Sequence, residues 1–216
     1  MNILRSNGFE RDGETKMATK LLYQGHGSLR LSAADGRVIY IDPYAGEGYD
    51  VPADFILVTH QHEDHNQIGL ITQKPGCVII SNEEALEGGD YNSFRFGGLT
   101  IEAVEANNKT HDPLDCVGFI VEVDDIKVYF PGDTSKTKAM ESFAEKKIDY
   151  ALFPCDGFYN MDLDEAAECA GIIGARVNIP VHLKPGELFD LERAEAFAAP
   201  NKLIVAAGEE IILEQA

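Results

Sequence analysis

The sequence predicts an α+β domain in which two mostly antiparallel sheets pack face to face with helices outside. Three observations predict it. Between about residues 20 and 130, short apolar runs are separated by two-residue turn signals, the strongest short-range mark of hairpins. Past residue 135 the apolar residues recur at helical spacing instead. The composition, 44% apolar and 25% charged over 216 residues, is that of one globular domain able to stack such layers around a core.

In chain order, residues 1–17 are polar and aperiodic, and are expected to be a loose leader to a single domain over 18–216. A hairpin is expected between Ser28–Ser32 and residues 37–42 (RVIYID), turning at Asp35-Gly36. Residues 54–59 (DFILVT) differ, because Phe55 to Val58 is continuously apolar, as in a strand buried on both faces. Two more hairpins are expected, one of residues 94–96 with 99–104 about Gly97-Gly98, the other of Val117–Val123 with Ile126–Phe130 about Asp124-Asp125. Met140, Phe143, Ala144 and Ile148 share one helical face. Leu163, Ala166, Ala167, Ala170 and Ile173 form a clearer stripe, opened by Asp162 with Glu165 three residues on, in the manner of a capping box. Strands at 151–154 (ALFP) and Val177–Val181 (VNIPV), a third helix over 191–198 and a closing hairpin from 203–206 to 210–213 complete the expectation.

Thirty-seven acidic against 18 basic residues leave a net charge of −19. Such a body repels duplex nucleic acid and anionic membranes, so neither is an expected partner. No apolar stretch approaches the ~20 residues needed to span a bilayer, and no signal core opens the chain, so a cytoplasmic location is expected. Cysteines 77, 116, 155 and 169 are widely spaced and read as reduced thiols. A small-molecule substrate is the expected partner, with self-association left open.

Three of the six histidines lie in His60-Gln61-His62-Glu63-Asp64-His65, directly after the buried strand. Imidazole nitrogens and a carboxylate on such a loop are ligands for a borderline divalent ion. On an irregular loop, residues 60 and 62 can face one way and 64 and 65 another, an arrangement that suits two metal sites better than one.

VTHQHEDH at 58–65 resembles the HxHxDH signature of the metallo-β-lactamase-fold superfamily. The later motifs follow in order: His111 in the loop before strand 117–123, Asp133 in FPGDT at 130–134, and His182 ending IPVH at 179–182. Within the superfamily the chain resembles the small metal-dependent hydrolases that include the L-ascorbate-6-phosphate lactonases. That likeness is carried by GHGSLRL at 25–31, IDPY at 41–44 and PCDGFYNMDLDEAAECA at 154–170, together with the FPGDT and IPVH motifs.

The resemblance implies a four-layer αββα sandwich holding two divalent metal ions, zinc first, with manganese or iron as alternatives. It implies that His60, His62 and His111 bind one ion, that Asp64, His65 and His182 bind the other, and that Asp133 bridges. The implied reaction is hydrolysis of an ester-type bond, in a lactone or a phosphoester, by a hydroxide held between the ions. Asp64 and His26 are the implied catalytic side chains. An iron-dependent redox enzyme on the same fold and a metal-binding protein without turnover are the alternatives. Two ions, two carboxylates and a hydroxide leave a small positive charge, which suits an anionic substrate group.

Other residues keep two readings. His26 is either a core histidine at a strand end or a site-lining group. Asp42 either orients a ligand imidazole or forms the turn before Pro43. Lys136 and Lys184 either pair with a substrate phosphate or are surface lysines. Asp156 and Asn160 carry no role that their chemistry alone assigns.

Overall fold

A computed structural model of the chain describes residues 17–215, so the expected leader lies outside the described residues except for an exposed Met17. Twelve strands form two six-stranded sheets. The first is built from β1 (Lys20–Gly25), β2 (Ser28–Ser32), β3 (Val38–Ile41), β4 (Ala53–Val58), β5 (Gln73–Ser81) and β12 (Glu210–Ile212), in the order β12-β1-β2-β3-β4-β5. The second is built from β6 (Ser93–Phe96), β7 (Leu99–Glu105), β8 (Val117–Val123), β9 (Ile126–Phe130), β10 (Tyr150–Pro154) and β11 (Val177–Val181), in the order β11-β10-β9-β8-β7-β6.

Each sheet is mixed. The three expected hairpins β2–β3, β6–β7 and β8–β9 are antiparallel, and Asp124 and Asp125 take the positive φ values (52° and 62°) that a tight hairpin turn demands. Strands β3, β4 and β5 run parallel, as do β9, β10 and β11. Parallel strands need long crossovers, and the loops that leave their carboxyl ends gather at one edge of the sandwich.

Between the sheets lies a core that includes Tyr23, Leu31, Ile41 and Leu57 from the first sheet and Ile101, Phe119, Val128 and Leu152 from the second. The outer face of the second sheet, with Ile120, Tyr129 and Phe153, is covered by three helical segments: a 3-10 helix at Lys138–Lys146, α2 (Leu163–Ile173) and α3 (Leu191–Ala196). On the first sheet, Val38, Tyr40, Ile56 and Val58 are covered by Tyr49, Val51, Ile68 and Ile71, from a loop and a single 3-10 turn (Ile68–Leu70). A short α1 (Asn82–Ala85) follows β5 with a complete capping box of Ser81 and Glu84.

Several details differ from expectation, each for a physical reason. The segment around Met140 is 3-10 rather than α, and Lys147, at φ 54°, ends it, so Ala144 is exposed and buried Ile148 lies beyond the helix. The closing hairpin does not form. Strand β12 pairs with β1 instead (Lys20↔Ile212), which satisfies the free edge of the first sheet, while residues 203–206 form no strand. Strands β1 and β5 lack an alternating pattern, and β5 is a largely exposed edge that tolerates Pro75. Helix α2 starts on Asp162, whose carboxylate accepts from the Glu165 N–H, and ends at Gly174 with φ 64°. Among the described residues no helix is long and apolar enough to cross a membrane.

Candidate metal centre

Five strand ends deliver the chemistry. Asp42 follows β3, Thr59 and His60 follow β4, Asp133 follows β9, Asp156 follows β10 and His182 follows β11. All but His111, which lies in the β7–β8 loop, His26, from the β1–β2 turn, and the remainder of the 60–65 loop are thus placed by rigid parallel strands. His26, Asp42 and His182 adopt left-handed backbone (φ 56°, 46° and 44°), a conformation costly for non-glycine residues and held here by the packing around them. Two glycines allow close approach. A Cβ on Gly27 would lie 2.9 Å from the His65 ring, and one on Gly132 (φ 62°) would lie 2.8 Å from both Thr59 Cβ and the Val117 carbonyl oxygen.

All seven expected ligands converge. Donor atoms within 4.8 Å of one another define three overlapping groups: His60, His62 and His111; His26, Asp64, His65 and His182; and His60, His65 and Asp133. Asp133 Oδ1 stands 3.3 Å from His65 Nε2 and 3.5 Å from His182 Nε2, and its group with His60 and His65 takes one histidine from each set. His62 Nδ1 and His111 Nε2 face each other at 3.0 Å.

The outer hydrogen bonds test whether these side chains suit a cation. The Thr59 hydroxyl donates to Asp42 Oδ2 (2.6 Å), so it can accept from His60 Nδ1, 3.0 Å away. His65 Nδ1 lies 2.9 Å from the same Asp42 oxygen, and His111 Nδ1 lies 2.9 Å from Asn108 Oδ1. His182 Nδ1 is 3.1 Å from Asp156 Oδ2. His60, His65 and His111 therefore each have an acceptor at Nδ1, while His182 Nδ1 faces a carboxylate oxygen at ion-pair distance but outside hydrogen-bond geometry, and in all four rings Nε2 is the inward atom. Among the described residues, His60 Nε2, His65 Nε2, His182 Nε2 and Asp133 Oδ1 are buried without a hydrogen-bond partner. Unpartnered inward ring nitrogens beside an unpartnered carboxylate oxygen are a costly arrangement that a cation relieves. The donor set, imidazole and carboxylate without thiolate, fits zinc, manganese or iron.

Charge follows the same geometry. Burial, then the neighbouring His65, push His60 down to about 2, against the pull of Asp133. Burial would also lower His65, but Asp133 and Asp42 outweigh it and hold this imidazole well above its usual range. Burial opposes the charge on Asp133, yet His182 and His65 keep that carboxyl well below the usual range. His182 is raised because Asp133 and Asp156 overcome its burial. In the metal-free chain, protons on His65 and His182 thus do the electrostatic work that a divalent ion would take over.

His26 is fully buried, with Nε2 3.1 Å from Asp64 Oδ2, Nδ1 3.3 Å from the Glu187 carbonyl and its ring 3.7 Å from that of His182. It reaches the cleft through Asp64, whose carboxyl the His26 contact holds below its usual range despite partial burial. The cleft itself, about 390 Å³, exposes His62, Asp64 and Asp133, with Thr110, Tyr159 and Pro185 forming other parts of its wall. Lys136 pairs with Glu168 (2.8 Å) and Lys184 with Glu187 (2.5 Å), and neither lines this cleft.

Sequence reasoning left Asp42 undecided and gave Asp156 and Asn108 no role. The available signal was positional, since Asp42 and Asp156 both follow strand ends as Asp133 does. Asn108, three residues before His111, carried no such mark.

Comparison with known proteins gives the family and the fold. The chain matches the family described as Beta-lactamase superfamily domain across residues 20–182. It is 31% identical over 189 residues to a UPF0173 metal-dependent hydrolase of Alkaliphilus metalliredigens, covering 76% of this chain and 84% of the relative. It is 30% identical over 190 residues to a UPF0173 metal-dependent hydrolase of Pyrococcus horikoshii, with the same coverage. Among solved structures, Igni18, a metallo hydrolase of Ignicoccus hospitalis, superposes with a TM-score of 0.74 over 93% of this chain and 100% of that one, a likeness of fold at 24% identity.

Proposed function

The chain belongs to the β-lactamase superfamily and, within it, to the UPF0173 metal-dependent hydrolases, and we propose that it cleaves an ester-type bond, in a lactone or a phosphoester, at a dinuclear centre. The observation that supports two ions is the overlap of the donor groups: His60 and His65 each belong to two of them, and Asp133 groups with one histidine from each set. In this reading His60, His62 and His111 would hold one ion, Asp64, His65 and His182 would hold the other, and Asp133 would serve both. Zinc is the first choice, with manganese or iron as alternatives. Ions so held supply Lewis acidity and lower the pKa of bound water toward neutrality.

The chain's own residues do the rest. Asp42 and Asn108 hold protons on the outer nitrogens of His65 and His111, and Asp156 sets a carboxylate 3.1 Å from His182 Nδ1, so the inner nitrogens would stay free as donors to a metal. Asp64 combines partial exposure to the cleft with a charge held by His26, so it can accept a hydrogen bond from a water in the cleft and orient it. Thr110, Tyr159 and Pro185 shape a cleft sized for a small molecule.

The test pairs metal analysis with turnover. Metal-loaded protein should bind about two equivalents and hydrolyse members of a lactone, phosphodiester and carboxylic-ester panel, with chelation abolishing activity. Asp133→Ala should lose turnover by at least ~10²-fold while the protein still folds, because the change removes the spanning carboxylate and leaves the strands intact. Saturation at one equivalent would overturn the dinuclear centre. Two bound ions with no turnover on any panel member would overturn the hydrolytic reading.

A further inference from the structure

A chain of polar contacts joins the two histidine sets from outside. His111 Nδ1 lies 2.9 Å from Asn108 Oδ1, and Asn108 Nδ2 donates to Asn160 Oδ1 at 2.8 Å. Asn160 Nδ2 donates to Asp156 Oδ2 at 2.8 Å, and that oxygen lies 3.1 Å from His182 Nδ1. The link crosses 52 positions of sequence between Asn108 and Asn160, yet spans only one side chain in space.

The polarity of the chain is consistent from end to end. His111 Nδ1 meets an amide oxygen, which puts its proton there, and His182 Nδ1 faces the Asp156 carboxylate at ion-pair distance but outside hydrogen-bond geometry. Between those acceptors, two amides each donate in the same direction, from Asn108 toward Asp156. An amide has a donor face and an acceptor face, and only such a group can continue the chain at position 160. Asn160 is buried, and so is Asp156, whose Oδ1 also accepts from the backbone N–H groups of Phe158 (2.6 Å), Tyr159 (2.6 Å) and Asn160 (3.2 Å). The loop that carries the cleft residue Tyr159 is therefore anchored on the same carboxylate.

We propose that Asn160 is a positioning residue: through Asn108 and Asp156 it fixes the His111 and His182 rings relative to each other, and so sets the affinity of both halves of the metal centre. This rests on the ligand assignment proposed above. His111 sits on the β7–β8 loop and His182 at the end of β11, and the path that joins the outer sides of their rings runs through side chains alone. Outer contacts of this kind contribute about 10–100-fold to metal affinity.

The experiment measures zinc affinity of the full chain by competition with a chromophoric chelator, for wild type, Asn160→Ala, Asn108→Ala and the double variant. The melting temperature of each metal-free protein is recorded alongside. Each single variant should weaken zinc binding about 10–100-fold, and the double variant should lose no more than the weaker-binding single, since either change breaks the same chain. If Asn160→Ala does not fold, Asn160→Ser, which keeps a small polar group too short to bridge, gives the same comparison. Zinc affinity within about twofold of wild type, a fall in melting temperature without a fall in affinity, or additive losses in the double variant would each overturn the proposal. Wild type that binds no zinc would instead overturn the ligand assignment, so the two failures are distinguishable.

Discussion

At the scale of single residues, His26 shows how burial redefines a role. Its ring is enclosed, lies against His182 and contacts Asp64, so it acts on the cleft at one remove. His26→Ala is therefore expected to weaken metal binding at the Asp64, His65 and His182 group by about 10–100-fold, with turnover falling in parallel. Excess zinc should restore most of that turnover, as measured by rate against metal concentration. Turnover that stays ~10²-fold low with both ions bound would place His26 directly in the proton path. Three left-handed non-glycine residues, His26, Asp42 and His182, surround one centre, and such strain persists only where the surrounding contacts over-determine it.

At the scale of elements, the segment from β9 to Asp133 and the segment from β4 to His60 are locked by one glycine. Gly132 has φ 62° and no room for a Cβ against Thr59 and the Val117 carbonyl. Gly132→Ala should destabilise the fold by about 1–3 kcal/mol and displace Asp133, so metal affinity falls as well. Gly171, inside α2 with open space where its Cβ would be, is the contrasting case. Gly171→Ala should stabilise by roughly 0.5–1 kcal/mol with metal binding unchanged. Urea melts of the metal-free proteins measure both, and equal effects at the two sites would contradict the packing described.

At the scale of the whole molecule, metal binding and protonation compete for the same buried groups. His65 and His182 have raised folded values, so the stability they contribute is present below the ordinary imidazole pKa and is lost as pH rises through those raised values. Asp133 has the opposite sign: its contribution is present above the ordinary carboxyl pKa and is lost as pH falls through its lowered value. The metal-free protein should thus lose stability toward alkaline pH, while the metal-loaded protein, with an ion in place of those protons, should not. Zinc uptake near neutral pH should release protons. Calorimetry in buffers of different ionisation enthalpy measures the release, and melting temperature against pH measures the rest. An identical alkaline profile with and without metal would contradict this coupling.

The amino-acid sequence by itself determined the layered α+β class, the three hairpins, helix α2 with its Asp162 cap, and the histidine cluster at 60–65 as a candidate metal loop, whereas His111, Asp133 and His182 were marked by the family resemblance. Each of the former is written locally, as a turn pair between apolar runs, a helical stripe, or a histidine cluster after an apolar strand. It did not determine the partner of β12, the 3-10 course of residues 138–146, or the edge strand β5, because those depend on which backbone groups and apolar faces remain unsatisfied once the sheets have formed. The roles of Asp42, Asn108, Asp156 and Asn160 were likewise decided only in three dimensions. Such contacts leave no spacing in the chain: Asp42 and His65, 23 residues apart, meet at 2.9 Å, and Asn108 and Asn160, 52 residues apart, meet at 2.8 Å, only because the two sheets bring their segments together.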